Sequence, residues 1–184
     1  MAAKKKQKKT AKPVARKSVS KKKAAAKRPV RKVARKVAKT PTRKPLPKPS
    51  AKAALKAEQD RLERNKKIVI AFYQKMIGEK DPEAARRFMG KTYTQHSAYA
   101  KDGFAGVAEF ASKFKKDFPN HRYEVKKVIA EGDLVVLHLH GINGMSPHGE
   151  QVVDMFRLKD GKVVEHWDVI QPIPADSSNP NGTF

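Results

Sequence analysis

Residues 58–184 read as an α+β fold, because amphipathic helical stretches come first and a run of hairpin-linked strands follows. Charge marks the same segment off as a separate object. Residues 1–57 hold 23 Lys and Arg and no acid, which leaves residues 58–184 with 19 basic residues against 18 acids. The near-neutral part, 127 residues long, is large enough to bury a core and fold alone. The chain has no cysteine, which excludes disulfides and thiolate metal sites.

The basic segment 1–57 is built from Lys, Arg, Ala, Pro, Val, Ser and Thr, without an aromatic residue. Such a composition buries too little surface to offset chain entropy, so a disordered tail is expected, with an extended spacer from Pro41 to Pro49. Its clusters, Lys4, Lys5 and Lys6, then Lys21, Lys22, Lys23, Lys27 and Arg28, then Arg31, Lys32, Arg35 and Lys36, fit a polyanion. Nucleic acid bound without regard to base sequence is the expected partner. The Ala/Lys/Pro pattern resembles the tails of linker histones and bacterial histone-like proteins. The N-terminus lacks the apolar run of a signal peptide and no stretch approaches ~20 apolar residues, so no membrane partner is expected. The expected location is the cytoplasm, on the nucleoid in a bacterium, or the nucleus in a eukaryote.

In the 58–184 segment, Leu62, Ile68 or Val69, Phe72, Tyr73, Met76 and Ile77 recur at helical steps and predict a first helix ending near Gly78. Asp81 and Pro82 open a short second helix as N-cap and first-turn proline. Residues 89–103 read as irregular or as a short strand. Phe104, Val107, Phe110 and Phe114 share one side of a third helix that stops at Pro119. Strands are expected over 122–132, 133–142, 150–158 and 162–170, as an antiparallel sheet with the helices on one face.

The last hairpin decides what its acids do. A two-residue loop, Asp160-Gly161, pairs Lys159 with Lys162 and sets Asp154 opposite Trp167. A three-residue loop, Lys159-Asp160-Gly161, pairs Leu158 with Lys162 and gathers Asp154, His166 and Asp168 on one otherwise apolar face with Val152, Phe156, Leu158, Val164 and Ile170. Val153, Met155, Val163, Trp167 and Val169 then form an outer row among charges, a surface suited to a homodimer. The second register sorts the charges better.

Three motifs carry a resemblance: Tyr93-Thr94-Gln95-His96, Val152 through Arg157, and Asp160 through Gln171. About 120 residues resemble the SnoaL-like polyketide cyclases of the nuclear-transport-factor-2-like fold. That resemblance implies a cone, in which helices close over a strongly curved sheet around an apolar pocket. It further implies an intramolecular aldol-type reaction, with Asp168 matching the acid/base aspartate of the cyclases. Asp154 stands fourteen residues earlier, where a cyclase carries a histidine. His96 falls in the segment that lines the mouth.

The expected catalytic set is therefore Asp168, Asp154, His166 and His96, with Tyr73, Tyr93, Phe110, His138, His140 and Phe156 lining a pocket for a small apolar carbonyl compound. A carboxylate in a water-poor pocket suits removal of a proton beside a carbonyl. His138 and His140 after Gly132 mimic the start of a cupin metal motif, but Gly141 to Met145 supply no Glu, so neither a metal nor another cofactor is expected. Two function classes stay open. One is an acid/base cyclase or isomerase tethered to nucleic acid. The other is a non-catalytic dimeric binding module whose working part is the tail.

Overall fold

The computed structural model describes residues 50–176 and 178–184. The basic clusters between Lys4 and Lys36 lie outside the described residues.

The helix α1 (Ala51–Tyr73) starts at Ser50, whose hydroxyl accepts the Ala53 N–H at 3.3 Å. Residues 51–57, assigned by charge to the tail, are thus its first turns, and all are exposed. Its second half buries Asn65, Val69, Phe72 and Tyr73. From Gln74 to Gly78 the helix widens into a π-helical turn, with Glu79 N–H on Gln74 O at 2.8 Å. The wider turn lets Phe72, Tyr73, Met76 and Ile77 all face one cavity. Asp81 caps α2 (Pro82–Arg86) by accepting the Ala84 N–H at 2.9 Å. The third helix, α3 (Gly103–Asp117), buries Gly106, Val107 and Ala111.

Five strands form one sheet in the order β1-β5-β4-β3-β2: β1 (Met89–Gln95), β2 (Arg122–Glu131), β3 (Leu134–Ile142), β4 (Glu150–Lys159) and β5 (Lys162–Pro172). The helices-then-strands order holds apart from β1, which precedes α3. The sheet is mixed rather than antiparallel, because the segment 89–95 enters as a strand parallel to β5. Bulges in the β1–β5, β2–β3 and β4–β5 ladders bend it. Its concave side takes Val135, Leu137 and Leu139 of β3, Phe156 and Leu158 of β4 and Val163 of β5 against Val69, Phe72, Tyr73 and Met76. Phe72 meets Phe156 edge-on at 5.7 Å, and Tyr73 meets Tyr123 edge-on at 4.8 Å.

The β4–β5 hairpin corrects the expected register. Lys159 pairs with Lys162 across Asp160 and Gly161, both at positive φ, as a two-residue turn requires. Leu158 pairs with Val163, and the register then slips by one residue so that Arg157 opposes Glu165. Val164 is the extra residue. The slip sets Asp154 opposite Asp168 and Met155 opposite Trp167. The three-residue loop is therefore wrong, yet Asp154, His166 and Asp168 still share the inner side, because the bulge restores the parity that the shorter loop removes. It also turns Val163 inward, fully buried, and out of the expected outer row.

His121, beside the end of α3, is held edge-on against Phe114 at 4.7 Å, and its Nδ1 is buried with no partner among the described residues. Burial, with the Lys80 ammonium as a lesser cause, lowers its pKa from 6.5 to about 4. The unfolded chain takes up this proton near pH 6.5 and the folded chain resists until about pH 4, so His121 makes stability fall with pH through that window. The expected outcome is that His121→Gln narrows the difference between urea midpoints measured at pH 7 and at pH 4.5.

Candidate functional site

The cavity lies between the π-helical turn, α3 and the concave side of β1, β4 and β5. Its space, open mouth included, is about 610 Å³. Phe72, Tyr73, Met76, Ile77, Val107 and Phe110 line it from the helices, and Val152, Phe156 and Ile170 from the sheet. Its polar lining is Tyr73, Tyr93, Gln95, Ser97, Asp154, His166 and Asp168, with no Lys or Arg among them.

Strand alternation places these groups. On β4, Asp154 lies between inward Val152 and Phe156. On β5, His166 and Asp168 face the same way. On β1, Tyr93 and Gln95 point in, followed by Ser97 just beyond the strand. Gln95 and His166 are paired residues of the parallel β1–β5 ladder.

Asp154 is 4% exposed, and its Oδ1 lies 2.9 Å from His166 Nε2. The other ring nitrogen, Nδ1, lies 2.8 Å from Gln95 Oε1. The imidazole stacks on Phe156 at 4.7 Å. The Ser97 hydroxyl donates to Asp168 Oδ2 at 2.6 Å. Asp154, His166 and Asp168 each bring a polar atom within 4.8 Å of the others. Burial pushes the Tyr73 phenol well above its ordinary pKa, helped by the nearby Asp154 charge. The Tyr93 phenol is raised too, first by burial and then by the charges of Asp154 and Asp168. Both phenols therefore remain neutral beside Asp154 and Asp168.

Of the residues singled out from sequence, Asp168, Asp154, His166, Tyr73, Tyr93, Phe110 and Phe156 all line this cavity. His96, His138 and His140 do not. Alternation on β1 turns His96 outward, where its ring stacks on Trp167 at 4.9 Å and its Nε2 lies 2.9 Å from Glu165 Oε1. That contact, with Arg157 bonded to the same carboxylate, holds Glu165 below the usual carboxylate range. His138 and His140 alternate with buried Leu137 and Leu139, so they lie on the outer side against the Phe184 ring, at 5.4 and 4.7 Å. Gln95 and Ser97 were missed. Treating 89–95 as a strand would have found Gln95, because an inward Tyr93 makes Gln95 inward and His96 outward.

No curated protein matches the chain. Among solved structures it is similar to AclR from Streptomyces galilaeus, a candidate hydroxylase, at 25% identity over 59% of this chain and 79% of that one, with a TM-score of 0.50. A candidate polyketide cyclase from Bacillus cereus is 22% identical over 61% of this chain and 77% of that one, with a TM-score of 0.52. A candidate cyclase from Acidithiobacillus ferrooxidans is 19% identical over 58% and 87%, at 0.50. The second and third likenesses speak to the fold alone: helices closing over a curved mixed sheet, the nuclear-transport-factor-2-like cone. Residues 67–175, more than half of the chain, match the family model of the SnoaL-like polyketide cyclases, and the chain belongs to that family.

Proposed function

We propose that the cavity binds a small, apolar carbonyl compound and moves a proton beside its carbonyl, as an aldol-type cyclase or an isomerase does. Domains of this family bind small-molecule ligands. The observation that carries the catalytic reading is the pair of carboxylates, Asp154 and Asp168, beside His166 in a largely apolar cavity that no Lys or Arg lines. In the proposed step, Asp168 takes the proton from the α-carbon. The C–H electron pair moves toward the carbonyl, and the oxygen gains negative charge that a neighbouring donor neutralises. Apolar walls exclude the water that would otherwise solvate and level these groups.

The test is exchange of α-protons for deuterium in aryl ketones and 1,3-diketones, followed by NMR in D2O. Wild-type protein is expected to catalyse exchange, and Asp168→Asn to lower the rate by about 10²–10⁴-fold, the usual contribution of a general base. Equal rates for wild type, variant and buffer across the panel would leave a binding module without turnover.

Two further parts belong to this reading. The first is a homodimer through the outer side of the sheet. Ile129, Val136, Met155 and Trp167 lie in one cross-strand row, with Val153 and Val169 beside it. Ile129 and Val169 are 60% and 61% exposed. A contiguous apolar patch of this kind favours a second copy over water. Light scattering at tens of micromolar is expected to give a dimer, and Val169→Asp a monomer of unchanged circular dichroism. A monomeric wild type would overturn this part.

The second is nucleic-acid binding by residues 1–57, carried by 23 cations and no acid. Engagement of about ten phosphates would give a slope near −9 for log K against log salt on duplex DNA. Binding by the full chain is expected to be tight at low salt, nearly gone by several hundred millimolar, and alike on two unrelated duplexes. A chain beginning at Ser50 is expected to fold and not to bind. Equal binding by the shortened chain would overturn the tail's role.

A further inference from the structure

The hydrogen bonds of the cavity determine where its protons are. The Ser97 backbone N–H can only donate, and it meets Gln95 Oε1 at 3.0 Å. That oxygen is therefore an acceptor, and the amide cannot be turned the other way without setting an NH2 against an N–H. The same oxygen faces His166 Nδ1 at 2.8 Å, so Nδ1 carries a hydrogen. His166 Nε2 then faces Asp154 Oδ1 at 2.9 Å with one proton between them, on the imidazole or on the carboxyl. The position of Gln95 is set by the β1–β5 pairing that aligns it with His166.

Asp168 is held differently. Its Oδ2 accepts the Ser97 hydroxyl, whose oxygen in turn accepts the Tyr99 N–H at 3.3 Å. The two acids stand opposite each other on β4 and β5, and like charges in that arrangement repel. A proton shared between Asp154 and His166 offsets that repulsion.

We infer that Gln95 is the positioning residue of the site. By accepting the Nδ1–H of His166 it aims Nε2 at Asp154, makes the Asp154–His166 pair the holder of the one transferable proton, and leaves Asp168 as the base. This assignment rests on the acid/base reading of the cavity and divides its labour. Asp168 breaks the C–H bond and becomes a carboxylic acid. The electron pair passes to the carbonyl oxygen, which takes the proton of the Asp154–His166 pair, leaving an ionised Asp154 and a neutral His166. Returning both protons in the reverse sense closes an isomerisation or an aldol step.

The experiment is long-range 1H–15N NMR of the full chain with 15N-labelled histidine, the His166 signals identified by their loss in His166→Gln. Wild type is expected to carry hydrogen on Nδ1 whether the pair's proton is on the ring or on Asp154. Gln95→Leu removes the acceptor, and neutral His166 is then expected to switch to the Nε2–H form, donating to Asp154. Gln95→Glu keeps an acceptor and is expected to retain Nδ1–H. In the deuterium-exchange assay the Leu variant is expected to lose at least tenfold in rate and the Glu variant to recover it. A bare Nδ1 in wild type, or an unchanged tautomer in Gln95→Leu, overturns the inference. The expected tautomer switch in a protein that exchanges no ketone proton would uphold Gln95's positioning of His166 and overturn the acid/base reading that it serves.

Discussion

The contact between Asp154 and His166 is the constraint around which the inner side of the sheet is organised. A carboxylate 4% exposed cannot stand alone among apolar side chains. Leaving such a group unpaired costs about 1–3 kcal/mol or more, a large fraction of a small domain's net stability. Asp154 therefore fixes what its neighbours can be. His166 must lie beside it on β5, and the β4–β5 ladder must keep both on one side. The aromatic packing of Phe72, Tyr73 and Phe156 then encloses the pair. Structure and chemistry coincide here, because the groups that satisfy the buried acid are also the groups that can exchange a proton with a bound molecule.

The opposite side of the sheet resolves its charges by other means. Arg157 bonds Asp133 through Nη1 and Glu165 through Nε, all at 2.9 Å, while His96 bonds Glu165 and stacks on Trp167. These groups are partly exposed and tie strands together at modest gain. The same residue types, His and acid, thus meet on two sides of one strand: in an open ion network outside and a closed hydrogen-bonded pair inside.

Much of this was legible in sequence, for reasons that differ by element. The helices and β2–β5 announced themselves through periodicity and turn residues, and the spacing of Asp154, Phe156, His166 and Asp168 marked a polar set within an apolar row. β1 was not legible as part of the sheet. It pairs in parallel with the last strand, far away in sequence, and Met-Gly-Lys-Thr-Tyr-Thr-Gln lacks a clean alternation. Missing its parity exchanged His96 for Gln95. His138 and His140 were misassigned although buried Leu137 and Leu139 flank them, because a histidine pair was weighed as chemistry before it was weighed as a strand face. The loop length was misjudged because charge sorting asks only which side a residue takes. A two-residue turn followed by a bulge, and a three-residue turn, give nearly the same sorting.

Val164 has a consequence for how this lineage can change. A strand is read in a two-letter frame, inside and outside, and an insertion or deletion of one residue normally inverts the message downstream. Here the extra residue near the turn acts as a compensating frameshift: everything from Glu165 to Ile170 is back in phase with β4. Gly90 leaves room beside the bulge, since a methyl group at that position would come within 2.7 Å of the Val164 side chain. The site's register is thus maintained jointly by a residue that contributes nothing to the cavity and a glycine on a neighbouring strand. Relatives of different hairpin length can preserve the same inner acids only by adding or losing a turn residue and a bulge together, so gaps in this region are expected to come in compensating pairs.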